Sequence, residues 1–122
     1  MTVAVVGLGK IGLPLAVQIA GSGHRVIGCD ISLDVVSAVN AAAPHFPGEA
    51  ELPERLDATV SSGNLHATTD TSSAVRDADV VIVVVPLVVD AAYESDFGSI
   101  DAATEDVARG LTPNTLVIWL TL

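Results

Sequence analysis

Three glycines spaced as Gly7-x-Gly9-x-x-Gly12 constrain the fold of this chain more than any other sequence feature. They follow a β-branched run at residues 3–6 and precede a segment whose apolar residues recur at four-residue spacing. This pattern predicts a strand, a tight turn and a helix. Because the chain contains ten glycines, the spacing alone could arise by accident, and the flanking elements decide its meaning.

Predicted strands and helices alternate along the rest of the chain. Ser32 is a predicted N-cap, and Pro53 fits the first turn of a helix. The expected strands cover residues 3–6, 25–30, 65–68, 79–85 and 115–120, and the expected helices cover residues 11–22, 33–42, 54–62, 71–77 and 99–109, with a loop at 43–48. We expect one α/β domain over residues 1–122: a Rossmann-type, doubly wound parallel sheet between two helix layers, with strand order 3-2-1-4-5.

The composition agrees with a sheet that is buried on both faces. Half of the residues are apolar but only 3% are aromatic, so the core must consist of Val, Ile, Leu and Ala. A chain of 122 residues has the length of one ordinary domain. The predicted domain ends on its fifth strand, and we expect it to be a truncated part of a longer protein.

The charge of the chain disfavours several classes of partner. Five Lys and Arg residues against fifteen Asp and Glu residues give a formal net charge of -10, which repels nucleic-acid backbones and anionic membrane surfaces. We therefore expect no nucleic-acid partner and no membrane partner. A phosphate site would have to depend on local backbone N–H groups and on a helix dipole rather than on the overall field.

Cysteine usage and hydropathy favour a cytoplasmic protein without a metal site. The single cysteine, Cys29, cannot form an internal disulfide, and the sequence contains no zinc-ligand spacing. No basic segment precedes the first apolar run, so we expect no signal peptide. The most apolar stretch, residues 80–89, contains Pro86. Because a bilayer span needs roughly 20 apolar residues, this stretch is expected to be a buried strand.

The glycines and an acid after the second strand together form the fingerprint of a dinucleotide-binding turn. Gly7 would turn the chain out of the strand, Gly9 would let a pyrophosphate approach the backbone, and Gly12 would let the helix pack closely on the sheet. The N–H groups of Lys10 and Ile11 would face the phosphates. The Lys10 side chain would either add positive charge there or be solvated.

Asp30 ends the second predicted strand, eighteen positions after Gly12. Its carboxylate would accept hydrogen bonds from the adenosine ribose and would repel a 2′-phosphate, so we expect NAD rather than NADP. The run Val83-Val84-Val85-Pro86 ends the fourth strand beside the point where the strand order reverses, and its backbone is expected to line the adenosine side. Val85 and Pro86 are included among the expected cofactor-binding residues. The structural alternative is a simple connecting turn, with Asp30 as a strand-end cap.

The remaining reactive side chains are expected to be structural or solvated. Cys29 lies inside a strand and is expected to fill the core. His24, His45 and His66 are scattered without a partner pattern, so we expect all three to be solvated. The acidic segment at residues 93–97 is expected to be a connection between elements.

The run from Val5 to Ala16, VVGLGKIGLPLA, goes beyond the generic fingerprint. It resembles the N-terminal domain of the UDP-glucose/GDP-mannose dehydrogenase family, the nucleotide-sugar dehydrogenases. Asp30, the segment Pro47-Gly48-Glu49 and the pair Val85-Pro86 agree with the same family. The resemblance covers essentially the whole chain and is most specific around the first turn.

The resemblance implies an enzyme of polysaccharide biosynthesis that oxidises the C6 alcohol of a UDP- or GDP-sugar to the uronic acid in two NAD-dependent steps. The family's catalytic cysteine, lysine and asparagine residues lie beyond this domain, and Cys29 does not match that cysteine. We therefore expect no catalytic residue in this chain. The nucleotide-sugar substrate would bind to the absent domains, and the parent enzyme would be a homo-oligomer.

The sequence departs from the family pattern near the expected nicotinamide end of the cofactor. Leu87 stands where the family usually has a threonine, and Trp119 and Leu120 precede Thr121, which alone matches the family after the fifth strand. Thr121 is included among the expected cofactor-binding residues. Two alternatives stay open: the same domain from a 6-phosphogluconate or 3-hydroxyacid dehydrogenase, and a non-catalytic module that senses NAD.

Overall fold

Strands and helices alternate along the chain as the sequence predicts. The computed structural model of the protein describes residues 1–43, 51–85 and 105–121. Its elements are β1 (Thr2–Val6), α1 (Gly12–Gly21), β2 (Arg25–Cys29), α2 (Leu33–Asn40), α3 (Leu52–Ser61), β3 (Leu65–Thr68), α4 (Thr71–Asp77), β4 (Val80–Val85) and β5 (Leu116–Thr121). Residues 105–110 are also helical. Most of the predicted loop at 43–48 and the first part of the helix predicted at 99–109 lie outside the described residues.

The five strands form one parallel sheet in the order β3-β2-β1-β4-β5. This order confirms the predicted doubly wound arrangement. Strands β2 and β4 lie on either side of β1, so the direction of travel across the sheet reverses at β1. In such sheets a ligand binds in the crevice at the carboxyl ends of the diverging strands. The ends of β1, β2 and β4 therefore define where a site is expected.

Helices cover both faces of the sheet, as the Val-rich strands predict. On one face, Val3 and Val5 pack with buried residues of α1, α2 and α3. On the other face, Ala4 and Val6 pack with α4 and with Val107 of the helical segment 105–110. The alternation of side chains along β1 thus divides the core into two halves and produces the three predicted layers. None of the helices in the described stretches is long and apolar enough to cross a membrane.

The four-residue spacing that predicts α1 runs through Ile11, Leu15 and Ile19, but these residues do not form its buried face. Ile11 is 47% exposed, and the other two are only partly buried. The residues that α1 buries are Gly12, Leu13, Ala16, Val17 and Ala20. The glycine and alanine residues on this face let α1 approach the strands closely. The buried face of α1 therefore differs from the face that the four-residue spacing suggests.

Caps account for where the shorter helices begin. Ser32 caps α2 as predicted, because its hydroxyl accepts a hydrogen bond from the N–H of Val35 at 3.3 Å. Asp70, which the sequence pattern did not single out, caps α4 by accepting from the N–H of Ser73 at 3.2 Å. Pro53 lies in the first turn of α3, where its missing N–H removes no helical hydrogen bond.

The side chain of Asn40 protects the free edge of β3. Its amide nitrogen donates to the carbonyl of Ala67 at 3.0 Å, and its amide oxygen accepts from the Ala67 N–H at 2.8 Å. Because β3 is an edge strand, these two backbone groups would otherwise be available to another chain. The Asn40 amide satisfies both groups and blocks strand pairing at this position.

Candidate functional site

The glycine turn leaves the carboxyl end of β1 and enters α1. Gly7 has a φ of 101°, in the left-handed region that favours glycine. Its N–H donates to the carbonyl of Cys29 at 2.8 Å, which extends the pairing of β1 with β2 into the turn. A Cβ added to Gly7 would overlap the carbonyl oxygen of Val84 in β4. Position 7 therefore requires glycine both for its backbone conformation and for its closeness to β4.

Gly9 and Gly12 have different surroundings. A Cβ added to Gly12 would overlap the carbonyl oxygen of Gly7, whereas the nearest sheet side chain, Val5, would be 3.8 Å away. The tightest contact at Gly12 is thus within the turn, and its contact with the sheet is of ordinary van der Waals length. A Cβ added to Gly9 would meet nothing within 4 Å. Gly9 therefore faces open space, where another molecule can approach the backbone.

The start of α1 has backbone N–H groups that bind no acceptor within the described part of the chain. The N–H of Leu13 donates to the carbonyl of Gly9 at 3.1 Å, which is the first helical hydrogen bond. The N-cap residue, Ile11, makes no side-chain capping bond, and the first turn holds no acidic residue. Among the described residues, none accepts from the N–H groups of residues 9–12. Free N–H groups at the positive end of a helix dipole form a site for an anion.

Asp30 lies directly after β2, one residue beyond the strand end, and is partly exposed. Its Oδ2 accepts from the N–H of Leu8 at 3.0 Å, and its Oδ1 accepts from the N–H of Ser32 at 3.0 Å. The carboxylate therefore fixes the turn to the end of β2, as a strand-end cap would. Each carboxylate oxygen has two lone pairs, so both keep the capacity to accept a hydrogen bond from a ligand.

The turn and Asp30 enclose one cleft of about 470 Å³. It brings together most of the residues that the sequence predicts for cofactor binding. The residues that line it are Gly7, Leu8, Gly9, Lys10, Ile11, Gly12, Asp30 and Val84. The volume lies within the range of small-molecule and cofactor sites.

Leu8 was not among the residues predicted for this cleft. Val84, which belongs to the strand end that was predicted to line the site, borders the cleft on the β4 side. Leu8 borders the cleft from the turn. Its position as an apolar residue between two glycines could have indicated this role. Val85 and Thr121 are register partners at the ends of β4 and β5. The side chains of these two residues lie outside the described part of the chain, and so does the whole of Pro86.

The side chains of Lys10 and Ile11 are exposed beside the cleft. Lys10 is the only Lys or Arg among the lining residues. In a chain with a formal net charge of -10, its ammonium group supplies local positive charge at the start of α1. An anion in the cleft would be attracted by this ammonium and by the helix dipole together, against the overall field.

Cys29 fills the core of the sheet, as predicted. Its side chain is fully buried in the half of the core that faces α4. Burial raises the pKa of the thiol from 9.0 to about 12, opposed by a hydrogen bond with Thr71 and reinforced by the nearby carboxylates of Asp30 and Asp70. Because the thiolate is the nucleophilic form, a thiol held protonated in this way is unreactive at neutral pH.

The histidines have no common site. His24 is half-buried after α1, and His66 is exposed on β3, where partial desolvation and the charge of Arg25 lower its pKa. His45 lies outside the described residues. Across the parts of the chain that the structure describes, no group of three His, Cys, Asp or Glu side chains could hold a metal ion.

Trp119 lies on the edge strand β5, in register with Val83 of β4. Its side chain is 45% exposed, and Leu120 beside it is also exposed. The other departure from the family pattern, Leu87, and the acidic segment at residues 93–97 lie outside the described residues.

Comparisons with known proteins agree with a dinucleotide-binding role for the glycine turn. A family model described as the UDP-glucose/GDP-mannose dehydrogenase family, NAD binding domain, matches residues 1–120. The chain is 36% identical over 120 residues to a UDP-N-acetyl-D-mannosamine dehydrogenase from Pyrococcus horikoshii, a match that covers 97% of this chain and 28% of that protein. The match favours this family over the other dehydrogenases that share the glycine turn.

Two solved structures are similar to the domain over nearly its whole length. A UDP-glucose dehydrogenase from Pyrobaculum islandicum matches with a TM-score of 0.86 at 30% identity, over 98% of this chain and 28% of that one. A GDP-mannose dehydrogenase from Pseudomonas aeruginosa, solved as a ternary complex, matches with a TM-score of 0.88 at 26% identity, over 99% of this chain and 28% of that one. The chain spans little more than a quarter of the length of these relatives.

The buried thiol of Cys29 predicts how stability depends on alkaline pH. In the unfolded chain the thiol loses its proton near its ordinary pKa of 9.0, whereas the folded chain retains the proton up to about 12. The contribution of the thiol to stability is therefore fully present below pH 9.0 and is lost as the pH rises to about 12. The free energy of unfolding should fall by up to about 1.4 kcal/mol per pH unit in this window because of Cys29.

Urea unfolding at a series of alkaline pH values measures this effect. Other groups titrate in the same range, so the test compares the chain with the variant Cys29→Ala. The variant loses the thiol but keeps every other titrating group, and its free energy of unfolding should decline less steeply with pH. Equal slopes for the two proteins would show that burial does not shift the Cys29 pKa.

Proposed function

The chain belongs to the UDP-glucose/GDP-mannose dehydrogenase family, and we propose that its glycine turn and Asp30 hold NAD for such an enzyme. The observation that carries this proposal is the set of N–H groups at residues 9–12, which have no partner among the described residues and belong to residues that line a cleft of about 470 Å³. Pyrophosphate oxygens would accept from these groups at the positive end of the α1 dipole. NAD supplies a hydride acceptor to the enzyme when it is bound.

In this proposal the pyrophosphate of NAD approaches the backbone most closely at the open side of Gly9. A pyrophosphate could lie against the backbone there, because Gly9 has no side chain and no atom of the described residues lies within 4 Å of where a Cβ would be. The ammonium group of Lys10 would add to the attraction. Val85, Pro86 and Thr121 remain proposed contacts on the β4 and β5 side, where their backbone would border the rest of the cofactor.

Asp30 would read the ribose of the adenosine half. Its two oxygens already hold the N–H groups of Leu8 and Ser32, which fixes the carboxylate at the mouth of the cleft. The remaining lone pairs would accept from the ribose hydroxyls, and the negative charge would oppose a 2′-phosphate. The same carboxylate would therefore orient the turn and select NAD over NADP.

The parent enzyme would oxidise the C6 alcohol of a nucleotide sugar to the uronic acid in two NAD-dependent steps. The family match and the dehydrogenase names of the relatives support this substrate class. The described residues of this chain would bind and orient the cofactor, and the buried, protonated thiol of Cys29 is unsuited to act as a nucleophile. The catalytic groups would belong to the remainder of the enzyme. Its homo-oligomeric state and its cytoplasmic location stay predictions.

Isothermal calorimetry with NAD and NADP tests the role of Asp30. We expect NAD to bind about tenfold more tightly than NADP, since a 2′-phosphate would lie close to the carboxylate. The variant Asp30→Asn keeps the shape and one acceptor oxygen but removes the charge, so the preference should shrink. Asp34→Asn removes the charge of an exposed acid in the first turn of α2 and serves as the matched control.

Equal affinity for NAD and NADP in the unmodified chain would remove the selective role of Asp30. A loss of preference in both variants would mean that the overall charge, rather than this carboxylate, is responsible. If neither NAD nor NADP bound to the unmodified chain, this result would contradict the proposed function itself.

A substitution at Gly9 separates cofactor binding from folding. The variant Gly9→Val should fold with nearly unchanged thermal stability, because its side chain would enter open space. It should bind NAD at least tenfold more weakly, since loss of a charge-assisted hydrogen bond costs roughly 1.5 kcal/mol or more. Gly12→Ala should instead lower the melting temperature, because its Cβ would overlap the Gly7 carbonyl.

Thermal unfolding and calorimetry on the same protein samples make this comparison. The variant Gly21→Ala is the control for adding a methyl group to α1, because its Cβ would also meet nothing within 4 Å and would lie away from the cleft. Undiminished NAD binding by Gly9→Val would contradict the close approach of the pyrophosphate at Gly9.

A further inference from the structure

Leu8 differs from the residues that follow it in the turn. Gly9, Lys10 and Ile11 are exposed, whereas Leu8 has no exposed surface and belongs to the core cluster beneath α1. The site-forming turn thus sends one of its own side chains into the core. Full burial of a leucine side chain stabilises by about 2 kcal/mol, so this side chain anchors the turn.

Gly28 in β2 provides the space for this anchor. A Cβ added to Gly28 would lie 2.9 Å from Cδ1 and 3.0 Å from Cδ2 of Leu8. Glycine within a strand is otherwise unfavourable and marks a place where another group approaches the backbone closely. Because Leu8 is fully buried, its side chain cannot move into solvent to avoid such a Cβ.

The next two residues of the chain, Cys29 at the end of β2 and Asp30 directly after it, hold the backbone of the same turn. The carbonyl of Cys29 accepts from the N–H of Gly7 at 2.8 Å, and Oδ2 of Asp30 accepts from the N–H of Leu8 at 3.0 Å. Three consecutive residues, 28 to 30, therefore act on the first two residues of the turn. A shift of Leu8 would be transmitted directly to the N–H groups that follow it.

We propose that Leu8 and Gly28 are positioning residues that set the affinity of the cleft for NAD by fixing the turn. They act through the backbone: the packing of Leu8 over Gly28 aligns the N–H groups of residues 9–12. The inference rests on the proposed function of the cleft, and it adds a determinant of affinity in the core behind the site. A methyl group at position 28 should displace the turn without touching the cofactor.

The test compares NAD binding by Gly28→Ala, Leu8→Val and the double variant. Gly28→Ala should weaken binding about tenfold, because a displaced turn would lose roughly one hydrogen bond to the charged pyrophosphate. Valine lacks both Cδ atoms that the new methyl group would meet, so adding Leu8→Val to Gly28→Ala should restore at least half of the lost binding free energy. Gly21→Ala, which adds a methyl group in open space, should bind NAD like the unmodified chain.

Hydrogen exchange of the Leu8 amide provides a second measurement that needs no cofactor. Its N–H is bonded to Asp30, and Gly28→Ala should accelerate its exchange relative to the amides of β1, while Gly21→Ala should not. A purely structural role for Gly28 would lower the melting temperature but leave the dissociation constant of the folded protein unchanged. That result would overturn the proposal, and so would a failure of Leu8→Val to restore binding.

The proposed function of the cleft and the positioning role of Leu8 and Gly28 can fail separately. If the unmodified chain does not bind NAD, the proposed function of the cleft is wrong, and unchanged Leu8 exchange in Gly28→Ala would then overturn the positioning role as well. If Gly28→Ala does not fold, Leu8→Ala takes its place. This variant removes the anchor without overpacking, so it should weaken NAD binding and accelerate Leu8 exchange, and wild-type values for both would contradict the proposal.

Discussion

The attachment of the glycine turn to the end of β2 is the interaction on which the site depends. Because β1 and β2 are parallel neighbours, their carboxyl ends meet at one edge of the sheet, and the Cys29 carbonyl and the Asp30 carboxylate reach the N–H groups of Gly7 and Leu8. This attachment fixes the start of α1, whose N–H groups at residues 9–12 have no acceptor among the residues that the structure describes. Without it, the same glycines would form a flexible connection and not a pre-organised site.

The second constraint is electrostatic. A chain with a formal net charge of -10 repels a dinucleotide at long range, so attraction must come from groups within a few ångströms of the phosphates. The unpartnered N–H groups, the α1 dipole and the ammonium group of Lys10 are concentrated in the one cleft that also contains Asp30. The site thereby combines attraction for the pyrophosphate with a negative charge at its ribose end, and this asymmetry would favour NAD.

Local patterns in the sequence predicted the element types and the residues of the turn, because glycine spacing, apolar periodicity and caps are local properties. The strand order followed from the fold class that these elements indicate. The features that were missed depend on contacts between distant residues. Asn40 binds Ala67 across 27 positions, and the burial of Leu8 over Gly28 becomes visible only when the turn after β1 is placed beside β2.

NAD binding at the turn between β1 and α1 can be measured by titrating the isotopically labelled chain with NAD and following the NMR shifts of its backbone amides. We expect saturable shifts that are largest at residues 9–12 and at Asp30, where N–H groups or the carboxylate would meet the cofactor. The absence of saturable shifts, or the largest shifts at the separate cavity between α1 and α3 near Gln18 and Arg55, would contradict NAD binding at this turn.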